Sequence, residues 1–210
     1  MRKLLLLTLA ASLALAADKP EKGFTSLFNG KNFDGWTLAK ENESTFSVKD
    51  GAIAVNGPRC HLYYTGKVGN HSFTNFELKV DVMTKPSSNG GIYFATQYLE
   101  KGWPDKGFEV QVNNTFEKDP RKTGSLYQVQ DYKDRAAENN KWFTEHIVVK
   151  GKNVQVFVDG KKVVDWTQPE GYAGPPNTPG RVLAPGTFAL QGHDPGSTIF
   201  YKNIRVKMLK

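Results

Sequence analysis

The sequence predicts an all-β fold, a sandwich of short antiparallel strands. No segment of the 210 residues keeps apolar side chains at the spacing of an amphipathic helix. Short runs instead alternate between apolar and polar residues, and turn signals separate them. The 20 glycines, the 11 prolines and an aromatic content of 12% also favour strands and turns. Together these observations predict a single-domain β-sandwich of the jelly-roll type.

The N-terminus has the pattern of an export signal. Two basic residues, Arg2 and Lys3, precede an apolar run over residues 4–16 that ends in small residues. A membrane anchor is the alternative, but it needs about 20 apolar residues, and a charged segment follows this run. We therefore expect a signal peptide at residues 1–16, a mature domain at 17–210, and a secreted or periplasmic protein without a membrane anchor after cleavage.

The distribution of charge argues against a nucleic-acid partner, and the single cysteine excludes an internal disulfide. Loss of Arg2 and Lys3 would lower the formal charge from +7 to +5, and the remaining basic residues are scattered among acidic ones. Proteins that bind nucleic acid usually concentrate their charge on one face, so we expect no nucleic-acid partner. The single cysteine, Cys60, cannot form an internal disulfide and is expected to fill space in the core. Nothing in the sequence indicates an oligomeric state.

The first half of the chain contains a turn, a hairpin and two strands in order. An Asn-Gly turn at residues 29–30 follows apolar residues that are expected to pin the N-terminus to the sandwich. Residues 46–55 are two alternating runs joined by Asp-Gly, which predicts a hairpin. Residues 61–65 and 73–83 predict strands, the second with one buried face.

The second half predicts three strands, a long loop and a closing pair. Residues 142–150, 153–158 and 161–166 alternate and are joined by Gly-Lys and Asp-Gly turns. Residues 167–185, rich in Pro and Gly, form a rim loop or a lid. We expect the last two strands, at residues 186–191 and 197–207, to pair with each other.

The stretch over residues 89–113 is the centre of the candidate site. It predicts two strands and a loop that carries Trp103. Because strand side chains alternate between faces, Glu109 and Gln111 share the face opposite the apolar residues around them, and Tyr93 occupies the polar face of the preceding strand. Such a wall of a carboxylate, amides and a phenol suits a sugar.

The candidate groups do not form a glucanase or zinc motif. Jelly-roll β-glucanases need closely spaced carboxylates on one strand, whereas Glu109 is followed at alternate positions by Gln111 and Asn113. A merely solvated glutamate remains an alternative. His193 shares a strand face with Gln191 and could form an acid/base pair with Glu109, or lie on a surface turn. No zinc motif is present, and a divalent metal stays an open possibility.

Several motifs in order are similar to those of the 3-keto-disaccharide hydrolase domain family, over essentially the whole mature chain. They are Phe24-Thr25-Ser26-Leu27-Phe28-Asn29-Gly30-Lys31, Phe33-Asp34-Gly35-Trp36, Asn89-Gly90-Gly91-Ile92-Tyr93-Phe94, Gly107-Phe108-Glu109-Val110-Gln111-Val112, Thr123-Gly124-Ser125-Leu126-Tyr127, Leu190-Gln191-Gly192-His193 and Phe200-Tyr201-Lys202-Asn203-Ile204-Arg205-Val206-Lys207.

The resemblance implies a concanavalin A-like jelly roll that acts on sugars oxidised to a ketone at carbon 3. Such a ketone acidifies the hydrogen on carbon 2, so that a base can remove it, the group on carbon 1 is expelled and water then adds. It implies Glu109 and His193 as acid/base or metal-contacting groups. The expected sugar-binding residues are Asn89, Tyr93, Gln111, Tyr127, Gln191, Trp103 and His61.

One departure from the family supports a different class of function. Many members carry an arginine shortly after Gly-Ile-Phe, whereas this chain continues Gly91-Ile92-Tyr93-Phe94-Ala95. Lys133 or Arg135 could supply the missing cation. If none does, the alternative is a lectin-like module that binds glycans without cleaving them, with Trp103, Tyr93 and Tyr98 as stacking platforms.

Overall fold

The computed structural model describes residues 21–210, and the predicted signal peptide at 1–16 lies outside them. Two antiparallel sheets face each other and enclose one hydrophobic core, so the predicted jelly-roll sandwich is confirmed. The only helical segments among residues 21–210 are short 3-10 turns at Glu43–Thr45 and Val68–His71. No helix in this part of the chain is long and apolar enough to cross a membrane.

The larger sheet has eight strands. In chain order they are β1 (Thr25–Ser26), β3 (Phe46–Lys49), β4 (Ala52–Val55), β6 (Phe76–Thr84), β9 (Phe143–Lys150), β10 (Asn153–Val158), β11 (Lys161–Thr167) and β13 (Ile199–Met208). Their spatial order is β11-β10-β9-β6-β13-β4-β3, and β1 pairs with β13.

The smaller sheet has five strands and carries the candidate site. They are β2 (Trp36–Leu38), β5 (Cys60–Tyr64), β7 (Gly90–Thr96), β8 (Phe108–Val112) and β12 (Thr187–Gly192), in the spatial order β2-β5-β12-β7-β8. Every residue of β5, β7, β8 and β12 is buried, because loops cover the polar face while the other face packs on the core.

Turn chemistry explains the predicted hairpins. Asp50 and Gly51 both have positive φ, at 51° and 77°, between β3 and β4. Asp159 and Gly160, at 46° and 79°, join β10 to β11 in the same way. Two left-handed residues in succession are what a two-residue hairpin turn requires, so both predicted hairpins are confirmed.

The predicted closing pair is wrong. β12 belongs to the smaller sheet, where β5 and β7 already occupy both of its edges. β13 belongs to the larger sheet and pairs with β4 and β6. The connection at residues 193–198 therefore crosses from one sheet to the other, and His193 lies in that crossing.

Candidate functional site

A row of polar side chains crosses four strands on the covered face of the smaller sheet. It runs from His61 in β5 through Gln191 in β12 and Tyr93 in β7 to Glu109 in β8. The register pairs His61 with Gln191 and Tyr93 with Glu109, which places each pair directly opposite across two strands. All four side chains are buried.

Glu109 accepts hydrogen bonds from two members of this row. Tyr93 donates its hydroxyl to Oε2 at 2.8 Å, and Gln191 donates Nε2 to Oε1 at 3.0 Å. Burial raises the pKa of the carboxyl group above its usual value, against the lowering effects of Arg181, Tyr93 and Gln191. The predicted alternative of a solvated glutamate is wrong, since only 5% of the residue is exposed.

A glycine makes room for this carboxyl group. A Cβ at Gly91, opposite Gln111 in the register, would lie 2.6 Å from Oε1 of Glu109. A side chain at this position would therefore displace the carboxyl group. Gly91 is thus required by the site, whereas a Cβ at Gly90 would meet Ile199 in the core at 2.5 Å.

Arg181 supplies the cation that the sequence seemed to lack. Its Nη2 lies 3.5 Å from Oε2 of Glu109, and only 6% of the residue is exposed. Its Nε and Nη1 are buried and have no hydrogen-bond partner within residues 21–210. The suggested substitutes were wrong, because Lys133 and Arg135 are exposed and do not line the cavity around Glu109.

Arg181 lies in the Pro- and Gly-rich segment that was predicted as a rim loop or lid. Gly107 donates its amide to the carbonyl of Gly180 at 2.9 Å, which ties this loop to the loop after β7. A Cβ at Gly180 would lie 1.7 Å from the carbonyl oxygen of Asp105. The position of Arg181 therefore depends on a close backbone contact that no periodicity in the sequence reveals.

Tyr127 lies between two guanidinium groups. The centre of its ring is 5.1 Å from Cζ of Arg181 and 4.4 Å from Cζ of Arg121. Asp119 in turn holds Arg121 by an ion pair of 3.1 Å. Tyr127 thus forms an aromatic wall of the cavity next to the Glu109–Arg181 pair.

His193 is held at both ring nitrogens. Nδ1 is 2.8 Å from Oδ2 of Asp194, and Nε2 is 3.2 Å from Nδ2 of Asn89. Gln111 donates to Oδ1 of Asn89 at 2.5 Å, so the Asn89 amide nitrogen is free to donate to His193. Ser197 donates its hydroxyl to the same oxygen of Asp194 at 2.8 Å. Nδ1 therefore carries the proton and Nε2 accepts.

His61 lies under Trp103 at the other end of the row. Their ring centres are 5.6 Å apart and the rings meet edge to face. Neither ring nitrogen of His61 has a partner in the part of the chain that the structure describes. Burial lowers its pKa to about 3, so the imidazole is neutral.

These elements enclose a cavity of about 660 Å³. Eight of the nine predicted site residues line it: Asn89, Tyr93, Trp103, Glu109, Gln111, Tyr127, Gln191 and His193. His61 does not line it, because Trp103 covers it. Tyr98 lies outside the cavity and donates to the carbonyl of Leu38 at 3.3 Å. Sequence reasoning missed Arg181 and Asp194, although Asp194 directly follows a predicted site residue.

Within residues 21–210, no group of three or more His, Cys, Asp or Glu side chains could hold a metal ion. The cavity lining offers three carboxylates (Asp105, Glu109 and Asp119), one guanidinium, one ammonium group, one imidazole and several amides and phenols. This set can move protons, stabilise a developing negative charge on oxygen and hydrogen-bond to hydroxyl groups.

One curated relative matches part of this chain. A 92-residue segment, 41% of this chain, is 32% identical to a 3-keto-disaccharide hydrolase of Bacteroides thetaiotaomicron. The match spans about a third of that relative, at 31% of its length.

Solved structures share the fold. A Parabacteroides distasonis protein described as a glycosyl hydrolase has a TM-score of 0.75 at 23% identity, over 90% of this chain and 94% of that one. A non-specific endo-β-1,3(4)-glucanase has a TM-score of 0.57 at 12% identity, over 89% and 91% of the two chains.

A family match covers nearly the whole of the described chain. Residues 23–207 match the family described as the 3-keto-alpha-glucoside-1,2-lyase-like domain. The match includes the five-stranded sheet, the Arg181 loop and the His193 crossing. The chain therefore belongs to the 3-keto-alpha-glucoside-1,2-lyase-like domain family.

Proposed function

We propose that this protein cleaves the glycosidic bond of 3-keto-glycosides by removing the proton from carbon 2, eliminating the group on carbon 1 and adding water. The observation that carries the proposal is the contact between Glu109 and Arg181, which places a base beside a buried cation with free donors. Removal of a proton from the carbon next to a carbonyl group requires a base that accepts the proton and a cation that stabilises the negative charge on the carbonyl oxygen.

Glu109 is the proposed base. Tyr93 and Gln191 hold its carboxyl group in one orientation, and burial raises its pKa toward the range in which a carboxylate accepts a proton from carbon more effectively. The carboxylate takes the hydrogen of carbon 2, and the electron pair of that C–H bond moves to form an enolate on the oxygen of carbon 3.

Arg181 is the proposed electrophile. The two nitrogens without a partner among the described residues, Nε and Nη1, can donate to the enolate oxygen. Buried donors are stabilised when an oxygen accepts from them, so the enolate oxygen is a suitable partner. Because the negative charge on oxygen grows during proton removal, these bonds strengthen in the transition state.

His193 is the proposed partner of the leaving oxygen. The enolate re-forms the ketone, its electrons make a double bond between carbons 1 and 2, and the bond from carbon 1 to the leaving oxygen breaks. In this step the imidazole is doubly protonated, and it gives the proton on Nε2 to that oxygen. Water then adds its hydroxyl to carbon 1 and returns its other proton to Nε2, while Glu109 returns its proton to carbon 2, so the net reaction is hydrolysis. The cavity position of His193 between Asn89 and Trp103 supports this role.

We also propose that the protein works outside the cytoplasm, on the basis of the N-terminal pattern at residues 1–16. Mass spectrometry of the protein from its own cells tests this directly. A mature N-terminus near residue 17 is expected, and an intact Met1 would contradict export.

The test of function is product analysis with purified residues 17–210. The substrates are 3-keto-trehalose and the methyl 3-keto-glucosides of both anomers, each with and without chelator. We expect release of 3-keto-glucose, and we expect none from the unoxidised sugars. Loss of product with chelator would add a divalent metal to the proposed reaction. Folded protein that binds these sugars without forming product would favour a glycan-binding module instead.

The Glu109→Gln variant tests whether formation of product depends on the carboxylate of Glu109. It removes the base and keeps the size of the side chain, so turnover should fall about 100- to 10,000-fold. Glu138→Gln is the matched control, because Glu138 is exposed and pairs only with Lys141 at 2.6 Å. Equal turnover of the Glu109 variant and wild type would contradict the assignment of the base.

A further inference from the structure

The polar row extends farther than one sugar ring. From His61 in β5 to Glu109 in β8 there are three strand spacings, or roughly 14 Å at the usual separation of neighbouring strands. The base and the cation occupy only the β8 end. His193 follows β12, in the middle of the row. Trp103 also lines the cavity, and a second ring that stacks on it would take no part in proton removal.

Trp103 dominates this second end. It lines the cavity and is 44% exposed, and its ring centre lies 5.5 Å from that of His193. Its position is supported from behind, since Cζ of Arg59 lies 5.3 Å from the ring centre and Glu41 accepts the amide of Gly102 at 2.9 Å. A supported aromatic face that is open to a cavity is suited to the apolar face of a sugar ring.

His61 is unexplained by the fold alone. The side chain is fully buried, yet both nitrogens lack a partner among the described residues. A neutral imidazole offers one donor and one acceptor, and leaving both unpaired in a buried position is unfavourable. Two rings of the cavity lining, those of Trp103 and Tyr93, contact the imidazole at centre-to-centre distances of 5.6 Å. Because Trp103 is the exposed one, a small displacement of its ring would bring the imidazole into contact with a bound hydroxyl.

We infer that Trp103 and His61 form the subsite for the leaving sugar of a disaccharide, with Trp103 stacking on its ring and His61 hydrogen-bonding to one of its hydroxyls. This inference rests on the proposed function, because it takes the Glu109 end as the position of the oxidised ring. The bond that breaks then lies next to His193, between the two ends of the row.

The test compares substrates with and without a second ring. Steady-state kinetics are measured for 3-keto-trehalose and for methyl 3-keto-α-glucoside, with wild type, Trp103→Ala and His61→Phe. We expect kcat/KM of Trp103→Ala and His61→Phe to fall at least about 10-fold further for the disaccharide than for the methyl glycoside. Trp142→Ala is the control, because Trp142 is also exposed, at 39%, but packs on Lys202 away from the cavity.

Trp103→Ala is the decisive variant, because the residue is on an exposed loop and its loss should not prevent folding. An equal loss for both substrates, or no loss for either, would overturn the subsite. A thermal melt of His61→Phe checks that this buried variant is folded.

A binding measurement separates this inference from the proposed function. Unoxidised trehalose is titrated into each protein by calorimetry, which needs no turnover. Weaker binding by Trp103→Ala and His61→Phe than by wild type and Trp142→Ala supports the subsite even if no 3-keto-glycoside is cleaved. Equal affinity for all four proteins would refute it, whatever the enzyme assay shows.

Discussion

Nη2 of Arg181 lies 3.5 Å from Oε2 of Glu109, although the two residues come from a long loop and an edge strand of the smaller sheet. The pair joins a base to a cation in a cavity that is otherwise lined mainly by amides, phenols and a histidine, with the charged residues Asp105, Lys106 and Asp119 also in the lining. Most of the predictions below concern the activity of variants in which one member of this pair, or a group that positions it, is replaced.

Removal of the Arg181 guanidinium should slow the reaction far more than it weakens binding. In Arg181→Ala the enolate loses its donors, so kcat should fall about 100- to 1,000-fold while KM changes little. Arg181→Lys should recover part of kcat, since a lysine restores charge without the guanidinium geometry. Steady-state kinetics with 3-keto-trehalose measure both. A change confined to KM would show that Arg181 only binds the substrate.

The acid side of the pH profile should report Glu109. Only the carboxylate can act as a base, so kcat/KM should fall as pH decreases through a pKa above 4.5, because burial raises the pKa of this group. Arg181 opposes that rise. The acid limb of residual activity in Arg181→Ala should therefore move to higher pH. If the acid limb of Arg181→Ala lies at the same pH as that of the wild type, a group other than Glu109 controls it.

Substitution at Gly180 should disturb the site without touching the substrate. A Cβ there would lie 1.7 Å from the carbonyl oxygen of Asp105, so Gly180→Ala must shift the loop and carry Arg181 away from Glu109. We expect a loss of kcat close to that of Arg181→Ala. Glu170→Ala, with 92% of its side chain exposed on the same loop, is the control and should keep full activity. Wild-type kcat in Gly180→Ala would contradict this dependence.

Asp194 should act through His193. In Asp194→Asn the ring loses the carboxylate that accepts from Nδ1, so the preference for the Nδ1-protonated tautomer should weaken and kcat should fall by more than about 10-fold. Nitrogen NMR of the labelled imidazole identifies the tautomer without any substrate. Asp165→Asn, at an exposed position in β11, serves as the control. An unchanged tautomer in Asp194→Asn would refute this role.

Glu145 should make the fold less stable as pH rises. Its carboxyl group lies inside the sandwich on β9, and neither oxygen has a partner within residues 21–210. The nearby amide of Gly124 donates instead to the carbonyl of Gln111 at 2.9 Å. Burial raises the pKa of Glu145 well above its usual value, so between the unfolded and folded pKa values the folded state holds one more proton.

The free energy of unfolding should therefore fall by up to about 1.4 kcal/mol per pH unit in that interval because of this one group. Glu145→Gln removes the titration, so its stability relative to wild type should increase from pH 5 to pH 8. Urea unfolding at both pH values measures the difference, and the same comparison with Glu138→Gln shows the effect of an exposed glutamate. Parallel pH dependence in wild type and Glu145→Gln would contradict the expectation.

The individual strands could be predicted from the sequence because they depend on local alternation. The period of two in β8 puts Glu109 and Gln111 on one face wherever the strand lies. The turn residues Asp50 and Asp159 determine two hairpins in the same local way. These features need no knowledge of distant contacts.

Arg181 and the pairing of β12 could not be predicted in this way. Arg181 reaches Glu109 because the backbones of Gly180 and Asp105 touch, and a loop contact of this kind leaves no period in the sequence. A short link between two strands resembles a hairpin in sequence, and β12 pairs elsewhere only because β5 and β7 occupy its edges. The position of Arg181 and the pairing of β12 are both determined by contacts between segments that are distant in sequence.

The hydrogen bond from Gly107 to Gly180 limits how the two loops that it joins can evolve. It joins the loop that presents Trp103 to the loop that presents Arg181, so neither can be lengthened, shortened or exchanged alone without breaking the fit at Gly180. With the roles proposed above for Trp103 and Arg181, preference for a leaving sugar and the capacity for the reaction would be inherited together. Laboratory recombination of homologous sequences should preserve activity when both loops come from one parent and lose it when they come from two.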